Sequence, residues 1–514
     1  MRFAKLVVLV AIPVACSSSS TNEAASGGAG GTGGSAGASG SGGAVSGGGG
    51  SAGSGGDAGV DAGCGGFAQR FGGPGAEVKT SYMVTDGTGA ILVGGQFKGQ
   101  VDFGGGPLTS PSNSSYDGFL LKLDASGKYL WAKQFADSSS TNIKKVRVAS
   151  DSQNNVYLSF EFSSAVKIAG AALQSGGGVD IAVAKLSSTG DLQWAKRYGG
   201  TLDESGGVVP HSDGTWSLQG QFMSAELDFG GATSTKLTKA NTSNADAFAA
   251  GFDAAGAVAW SRKYGGLGNQ TVYGLGAAFP SDGATAFMAS FAGDINFGSP
   301  ANCPQLLGSG SAIAKLSSSG TCMYQVHAKP AVEGGTGSLA LWYARATASN
   351  GLVVAGAVFG SVELLSGGTS TSLVSHGDAD LALVRLDTTG SVTQALAFGD
   401  ALYQEIGGLA VDGDGNVLLA GYSATGIDFG DAAPLAPVGA EDIYVAKLDP
   451  SGKLLWNARF GDEASQAVSS LAVGPDGRTV LAGTFAGAID FGLGAASVVT
   501  AVGTRDLYVA KLCK

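Results

Sequence analysis

The sequence predicts an all-β fold: a seven-bladed β-propeller of four-stranded blades. Its ring is expected to close when an N-terminal strand completes the C-terminal blade. Three observations predict this. A short phrase recurs along the 514 residues, as "ILVGGQFKGQVDFG" at Ile91–Gly104, "VLLAGYSATGIDFG" at Val417–Gly430 and "VLAGTFAGAIDFG" at Val480–Gly492. A marker position returns every 62 to 70 residues. The two ends are complementary fragments of one repeat.

The marker is the Trp of "LLWNARF", Trp456. Its counterparts are Phe67, Trp131, Trp194, Trp260, Tyr324 and Gln394, which makes seven. Each unit holds four strand signals. In the sixth they are "GLAVD" (Gly408–Asp412), "VLLAGY" (Val417–Tyr422), "IYVAKL" (Ile443–Leu448) and "LLWNARF" (Leu454–Phe460). Alternation, β-branched and aromatic content, and Gly/Asp turns all indicate strands. Four strands repeated seven times are what a propeller requires. The last unit stops at "LYVAKLCK", after its third strand, and Phe67 belongs to a fourth strand lacking the other three. Joining them removes two open sheet edges.

Residues 65–514 carry the repeats, and the first 64 read differently. Arg2 and Lys5 precede a short apolar run, Leu6–Val14, about half the ~20 residues of a membrane span. Residues 1–16 are expected to be a signal with a lipobox-like end, with Cys16 as the lipidated residue. Residues 17–63 are almost all Gly, Ser and Ala, with nothing to bury. They read as a tether with a reach of about 38 Å. Residues 64–514 form the propeller domain. The expected address is the cell envelope, at an outer membrane or cell surface, held by the lipid alone. Without lipidation the protein would be secreted.

The motif set "YGG…DE" at Tyr198–Glu204, "D-x-x-G-N" at Asp412–Asn416 and "V-x-x-x-G" at Val417–Gly421 resembles the bacterial β-propeller repeat called SBBP. The resemblance covers nearly all of residues 65–514. It is clear in units one, six and seven and worn in four and five. It implies an extracytoplasmic seven-bladed propeller and no particular reaction.

Five cysteines are present. Setting Cys16 aside leaves four. Cys513 and Cys64 fall where Asp449 and Lys453 flank the tight "DPSGK" turn, across a hairpin that a disulfide can span. Cys64–Cys513 is the expected ring lock, and Cys303–Cys322 the second pair. Export favours both.

Charge excludes one class of partner. The net charge is −11 with no basic stripe, so nucleic acid is not expected. "DFG" at Asp102, Asp228, Asp428 and Asp490 is a repeat element rather than a kinase magnesium site. "DGDGN" at Asp412–Asn416 reads as a turn, with calcium as the alternative. His211, His327 and His376 show no metal-ligand spacing, so no metal site is assigned. Two series recur once per unit. One is acidic or amide: Glu77, Glu204, Gln270, Gln404 and Gln466, with Thr141 in unit two. The other is basic: Lys122, Lys185, Lys315, Arg385, Lys447 and Lys511, with Gly251 in unit three. Each reads as one structural bond per blade. The recurrent second-strand glycines (Gly95, Gly220, Gly356, Gly421 and Gly483) leave gaps that the marker Trp is expected to fill.

Tight turns and long loops segregate to opposite ends of each unit. The long-loop face carries acidic residues, and Glu77, Glu204, Glu405 and Glu463 are the candidate ligand-binding residues. The expected function is a monomeric, non-catalytic binding or scaffold module for a glycan, protein or cationic ligand, with no cofactor apart from the calcium alternative. A carbohydrate-active enzyme with carboxylates at the channel mouth is the alternative, and a purely structural envelope protein the third reading. The anchor is directly testable. Cys16→Ala is expected to move the protein from the membrane to the soluble fraction, and unchanged partition on fractionation would defeat lipidation.

Overall fold

Short alternating segments between Gly- and Asp-rich turns can satisfy their backbone groups only by pairing with neighbours. In the computed structural model they pair antiparallel throughout. The structure describes residues 65–514, apart from 112–114, 137–141, 232–234, 240–242, 267, 275, 299–300, 401–402, 431–433 and 495–496. The expectations for 1–16, 17–63, Cys16 and Cys64 lie outside these residues.

Seven blades form a ring, a seven-bladed β-propeller. Blade six shows the plan: Glu405–Val411, Val417–Ser423, Asp442–Leu448 and Leu454–Phe460, hydrogen-bonded in that order. The first strands are innermost and face one another across the seams between blades. The core lies in layers between neighbouring blades. In one layer Leu92 and Leu120 of blade one pack with Val146, Leu158 and Phe160 of blade two.

The ring closes as expected. Phe67–Phe71 pairs with Asp506–Lys511, from Phe67↔Lys511 to Phe71↔Leu507, and becomes the fourth strand of blade seven. Arg70 Nη1 lies 2.9 Å from Asp506 Oδ2 along this joint. Across the seam between blades seven and one, Ser470 Oγ both accepts from Met83 N and donates to Met83 O, each at 3.0 Å. Cys513 is disulfide-bonded. Cys303 and Cys322 are joined, with Cα atoms 6.2 Å apart.

Blade four departs from the plan. Its middle strands run long, Thr285–Ile295 and Leu306–Leu316. A hairpin of blade five, Ser361–Ser366 with Thr369–Val374, crosses over and pairs with blade four's outer strand, Cys322–Pro330. The result is a six-stranded sheet whose outer edge is supplied by its neighbour.

The basic series finds its partner in the turn between first and second strands. Lys122 reaches Asp86 at 2.9 Å, Lys185 Asp151 at 3.4 Å, Lys315 Asp282 at 2.6 Å, Lys447 Asp412 at 2.8 Å and Lys511 Asp476 at 2.6 Å. Some cations also hold the next blade: Lys122 Nζ donates to Ser188 O, and Lys511 Nζ to Ala125 O. Blade three lacks the Lys: Gly251 stands there, His211 opens the turn, and Asp213 holds the place that Asp476 holds in blade seven.

The marker residue packs on the next blade's tight turn. Trp131 Nε1 donates to Ser188 O at 3.2 Å, Trp260 Nε1 to Ser318 O at 2.6 Å and Gln394 Nε2 to Ser451 O at 2.6 Å. A Cβ on the turn glycine Gly320 would stand 2.5 Å from the Trp260 ring, and one on Gly390 2.3 Å from Tyr324. The less recognisable markers Tyr324 and Gln394 thus do the same job as Trp.

Lys122 and Asp86 are 4% and 0% exposed. Burial pushes the Asp86 carboxyl up, but hydrogen bonds from Thr88 and Lys122 and the lysine's charge outweigh it and hold the group below its ordinary 3.8. Its folded value is depressed, so its contribution is fully present above the ordinary 3.8 and lost as pH falls through the lower folded value. Lys122→Met leaves a buried carboxylate without its cation. It is expected to cost about 3–5 kcal/mol in denaturant unfolding at pH 7, with the gap to wild type closing in acid. A loss under about 1 kcal/mol would show that the pair is not a structural tie.

Candidate functional site

Five first strands slip register on the channel wall. The breaks lie at Thr80/Tyr82, Lys144/Arg147, Leu341/Tyr343, Ile406/Gly408 and Val468/Ser470. Each is a bulge that re-aims the residues beside it. In four of them a second-strand glycine lies opposite: Gly95, Gly356, Gly421 and Gly483. A Cβ on Gly356 would sit 1.8 Å from Ala340 O, one on Gly421 2.0 Å from Glu405 O, and one on Gly483 2.0 Å from Ala467 O. The glycines make room for the bulge's carbonyl, and the expectation that the marker Trp fills these gaps is corrected. Blade two carries Phe160 there because its bulge is wider. Lys145 and Val146 both fall outside the register, and Lys145 takes a left-handed φ of 48°. Phe160 packs against Phe135, ring centroids 4.7 Å apart.

The bulges gather a polar and aromatic set from several blades. Burial, then Tyr82, Glu405 and Tyr422, push the Tyr343 hydroxyl of blade five above the usual tyrosine range, and the Arg345 charge opposes them. Glu405 opens the first strand of blade six on the long-loop side and pairs with Tyr422 in the sheet. It is half-buried, and the Tyr403 hydroxyl donates to its carboxylate. Burial raises the Glu405 carboxyl, the Glu441 charge adds to this, and the Tyr403 bond opposes it. The Tyr444 hydroxyl fixes the backbone here by donating to Glu405 O at 2.7 Å. Glu441 is itself held by Ser465 Oγ, 2.5 Å from its Oε2.

The four candidate carboxylates separate into different roles. Glu405 belongs to this set. Glu204 does not: it is 1% exposed and accepts from Gly200 N at 2.7 Å and Ser224 N at 3.0 Å. Its expected role as a ligand residue is corrected to a structural one. Gln270, Gln404 and Gln466 are equally buried, with Gln404 Nε2 on Asp400 Oδ1 and Gln466 Nε2 on Asp462 Oδ1. Glu77 is one residue out of step, because Val78 takes the buried position. Glu77 instead sits half-buried, 3.8 Å from Lys79 Nζ, and holds the Tyr116 hydroxyl. Glu463 is exposed. Among the described residues no hydrogen bond or ion pair joins the four.

The remaining motifs are structural. The Asp of each "DFG" caps its own turn, as where Asp102 Oδ1 accepts from Gly104 N and Asp428 Oδ1 from Gly430 N, both at 2.7 Å. The Phe packs on the blade, Phe103 stacking on Phe119 at 4.5 Å. In "DGDGN", Asp412 is engaged by Lys447 and by Asn416 Nδ2 at 2.9 Å. His211 and His327 are buried, which lowers both. His376 bonds Asp380 at 2.8 Å.

No protein-family model and no curated protein sequence matches the chain. Solved structures do resemble it. They include a polysaccharide lyase, the ulvan lyase PL25, at 10% identity and TM-score 0.39, covering 81% of this chain and 93% of the lyase. The NanB sialidase of Streptococcus pneumoniae shows 9% identity and TM-score 0.37, over 87% of this chain and 70% of that one. The Pan2 WD40 domain of Neurospora crassa shows 9% identity and TM-score 0.28, over 86% and 95%. At such values the likeness concerns architecture and assigns no activity. The expectation of a propeller without catalysis is corrected to this extent: similar rings include a polysaccharide lyase and a sialidase, so a ring of this kind is no ground for excluding catalysis.

The bulge constraint is testable at Gly421. Gly421→Ala sets a methyl against Glu405 O and the Tyr444 hydroxyl, 2.0 and 2.2 Å away. It is expected to cost about 1–3 kcal/mol and to shift the Glu405 titration seen by carboxylate NMR. Wild-type stability with an unmoved Glu405 signal would refute the constraint.

Proposed function

We propose that the protein is a carbohydrate-active enzyme working at the long-loop mouth of its channel, with Glu405 as the acid–base group. One observation carries this reading. Glu405 is a half-buried carboxyl raised by its surroundings, held by a tyrosine hydroxyl and set among Tyr343 and Tyr422 where bulged strands meet. When a glycosidic bond breaks, the bridging oxygen leaves with the electron pair and needs a proton. A carboxyl kept protonated to higher pH by burial can give it, and the nearby Glu441 is the second carboxylate such chemistry uses. Tyrosine faces offer flat apolar surface to the C–H faces of a sugar ring, and their hydroxyls serve its oxygens.

The address remains a proposal resting on sequence: export, lipidation at Cys16, an SBBP-type repeat, and a glycan met at the cell envelope by a monomer.

Turnover on a panel of neutral, uronate and sulfated polysaccharides tests the enzyme. Glu405→Gln is expected to lower kcat by about 10²- to 10⁴-fold with thermal stability unchanged. As an acid, Glu405 works while protonated, so wild-type activity is expected to fall as pH rises through its raised value, above the ordinary 4.5. Full activity in the Gln variant would remove Glu405 from the role. No turnover across the panel would sink the enzyme and leave the structural reading.

A further inference from the structure

Blade one carries a cationic cluster at its long-loop end, beside the joint that closes the ring. Its first strand starts at Glu77, its second ends at Lys98, and Tyr116 precedes the third, Asp117–Leu123. Glu77 lies opposite Lys98 in the sheet and is bridged on its other side to Arg505 of blade seven. The side chains of blade one converge on a single ring. Lys79 Nζ and Lys98 Nζ each stand 4.1 Å from the centre of the Tyr116 ring. The Tyr116 hydroxyl is bonded to Glu77, and Lys79 Nζ lies 3.8 Å from Glu77 Oε1. All four residues are partly exposed.

Charge does not balance in this cluster. Two ammonium groups share one carboxylate, and among the described residues neither Lys98 nor Arg505 makes an ion pair. The acidic residues next in sequence are engaged elsewhere: Asp117 accepts from Gln134 Nε2, and Asp506 from Arg70 Nη1 at 2.9 Å. The negative face of the tyrosine ring attracts each ammonium, yet two like charges at one ring repel each other. An anion between them relieves that repulsion and gains from both. Each ammonium has three N–H donors, so donors remain for its oxygens.

We propose that Lys79 and Lys98, held on the Tyr116 ring, form an oxyanion-binding site, and that the glycan taken at the mouth presents sulfate or carboxylate groups to it. The sugar rests on the glycan reading above, and the anion site rests on the cluster alone. Ammonium groups fixed before the ligand arrives lose less freedom on binding it. Glu77 takes a role opposite to that of a ligand residue: it anchors the tyrosine hydroxyl and offsets part of the positive charge. The chain's net charge of −11 does not decide against the site. Exposed charges are screened within about 8 Å at physiological salt, so the local set governs what binds.

The test is binding by the full chain, measured by calorimetry with four probes: inorganic sulfate, a sulfated galactan oligosaccharide, a polyuronate oligosaccharide and an uncharged β-glucan. An acidic oligosaccharide is expected to bind at least about tenfold more tightly than the glucan. Tighter binding of polyuronate assigns the carboxylate, and of galactan the sulfate. Inorganic sulfate bound as tightly as the galactan would support the anion site and overturn the glycan in it. Lys79→Gln together with Lys98→Gln is expected to cost about tenfold for the acidic probes alone. Tyr116→Leu keeps both charges but releases them from the ring, and is expected to cost about threefold. Glu77→Gln removes the competing charge and is expected to tighten acidic binding, whereas a site for cations would be lost. Equal affinity for charged and uncharged probes overturns the proposal. So does acidic binding that survives the double substitution, ignores Tyr116→Leu, or weakens with Glu77→Gln. Glu405→Gln separates this site from the catalytic reading. Turnover lost with acidic binding kept supports both, turnover on uncharged glycans alone overturns only the anion site, and acidic binding without any turnover overturns only the catalysis.

Discussion

A backbone carbonyl in this ring needs the space of a missing side chain. In four blades the first strand bulges where the second strand yields space, and Gly95, Gly356, Gly421 and Gly483 yield it. Without the bulge, side chains would alternate along a flat strand and half of them would enter the layers between blades. With it, the alternation is reset beside the slip. Tyr82, Tyr343 and Glu405 all lie at or beside such slips. The recurring phrase of the sequence is thus a packing demand repeated in four of the seven blades. The same demand shapes the part of the molecule best suited to chemistry.

Symmetry and function pull in different directions here. The seams are tied by nearly identical devices: a buried Lys–Asp pair and a marker side chain on the next blade's turn glycine. These repeat because every seam presents the same geometry. A reaction site cannot repeat in this way, since substrate and leaving group occupy different places. The channel set accordingly draws unlike residues from unlike blades. Blade five contributes Tyr343, and blade six contributes Glu405 with the Tyr403 hydroxyl on its carboxylate.

Much of the fold was legible because repetition multiplies a weak signal. Seven markers and four strand patterns per unit leave few topologies open, and the fragmentary ends specify the joint between Phe67–Phe71 and Asp506–Lys511. The site was legible only in Glu405. Glu204 and Glu405 both look like acidic residues entering a first strand. Their fates differ by one register step, because Gln404 takes in blade six the buried place that Glu204 takes in blade three. A step of one residue moves a side chain to the opposite face. The bulges were missed for a related reason. Their mark is a glycine on the second strand, opposite the slip rather than in it, and it reads as a packing gap until the two strands are paired. The pairing of Lys with the turn Asp was missed because the two lie in different strands and align only once the hairpins are in register.

The hairpin that crosses from blade five to the edge of blade four bears on the ancestry of the ring. Repeat proteins change size when a copy is duplicated or lost, and that needs each copy to be interchangeable with the next. Blades four and five no longer are. Deleting blade five would strip the outer edge from Cys322–Pro330, and inserting a copy between them would leave Ser361–Val374 with no sheet to join. The count of seven is therefore locked at this seam by exchanged structure. The same exchange fits the wear of the repeat in these two units. Once a blade has a partner of its own, its residues answer to that partner and drift from the common pattern.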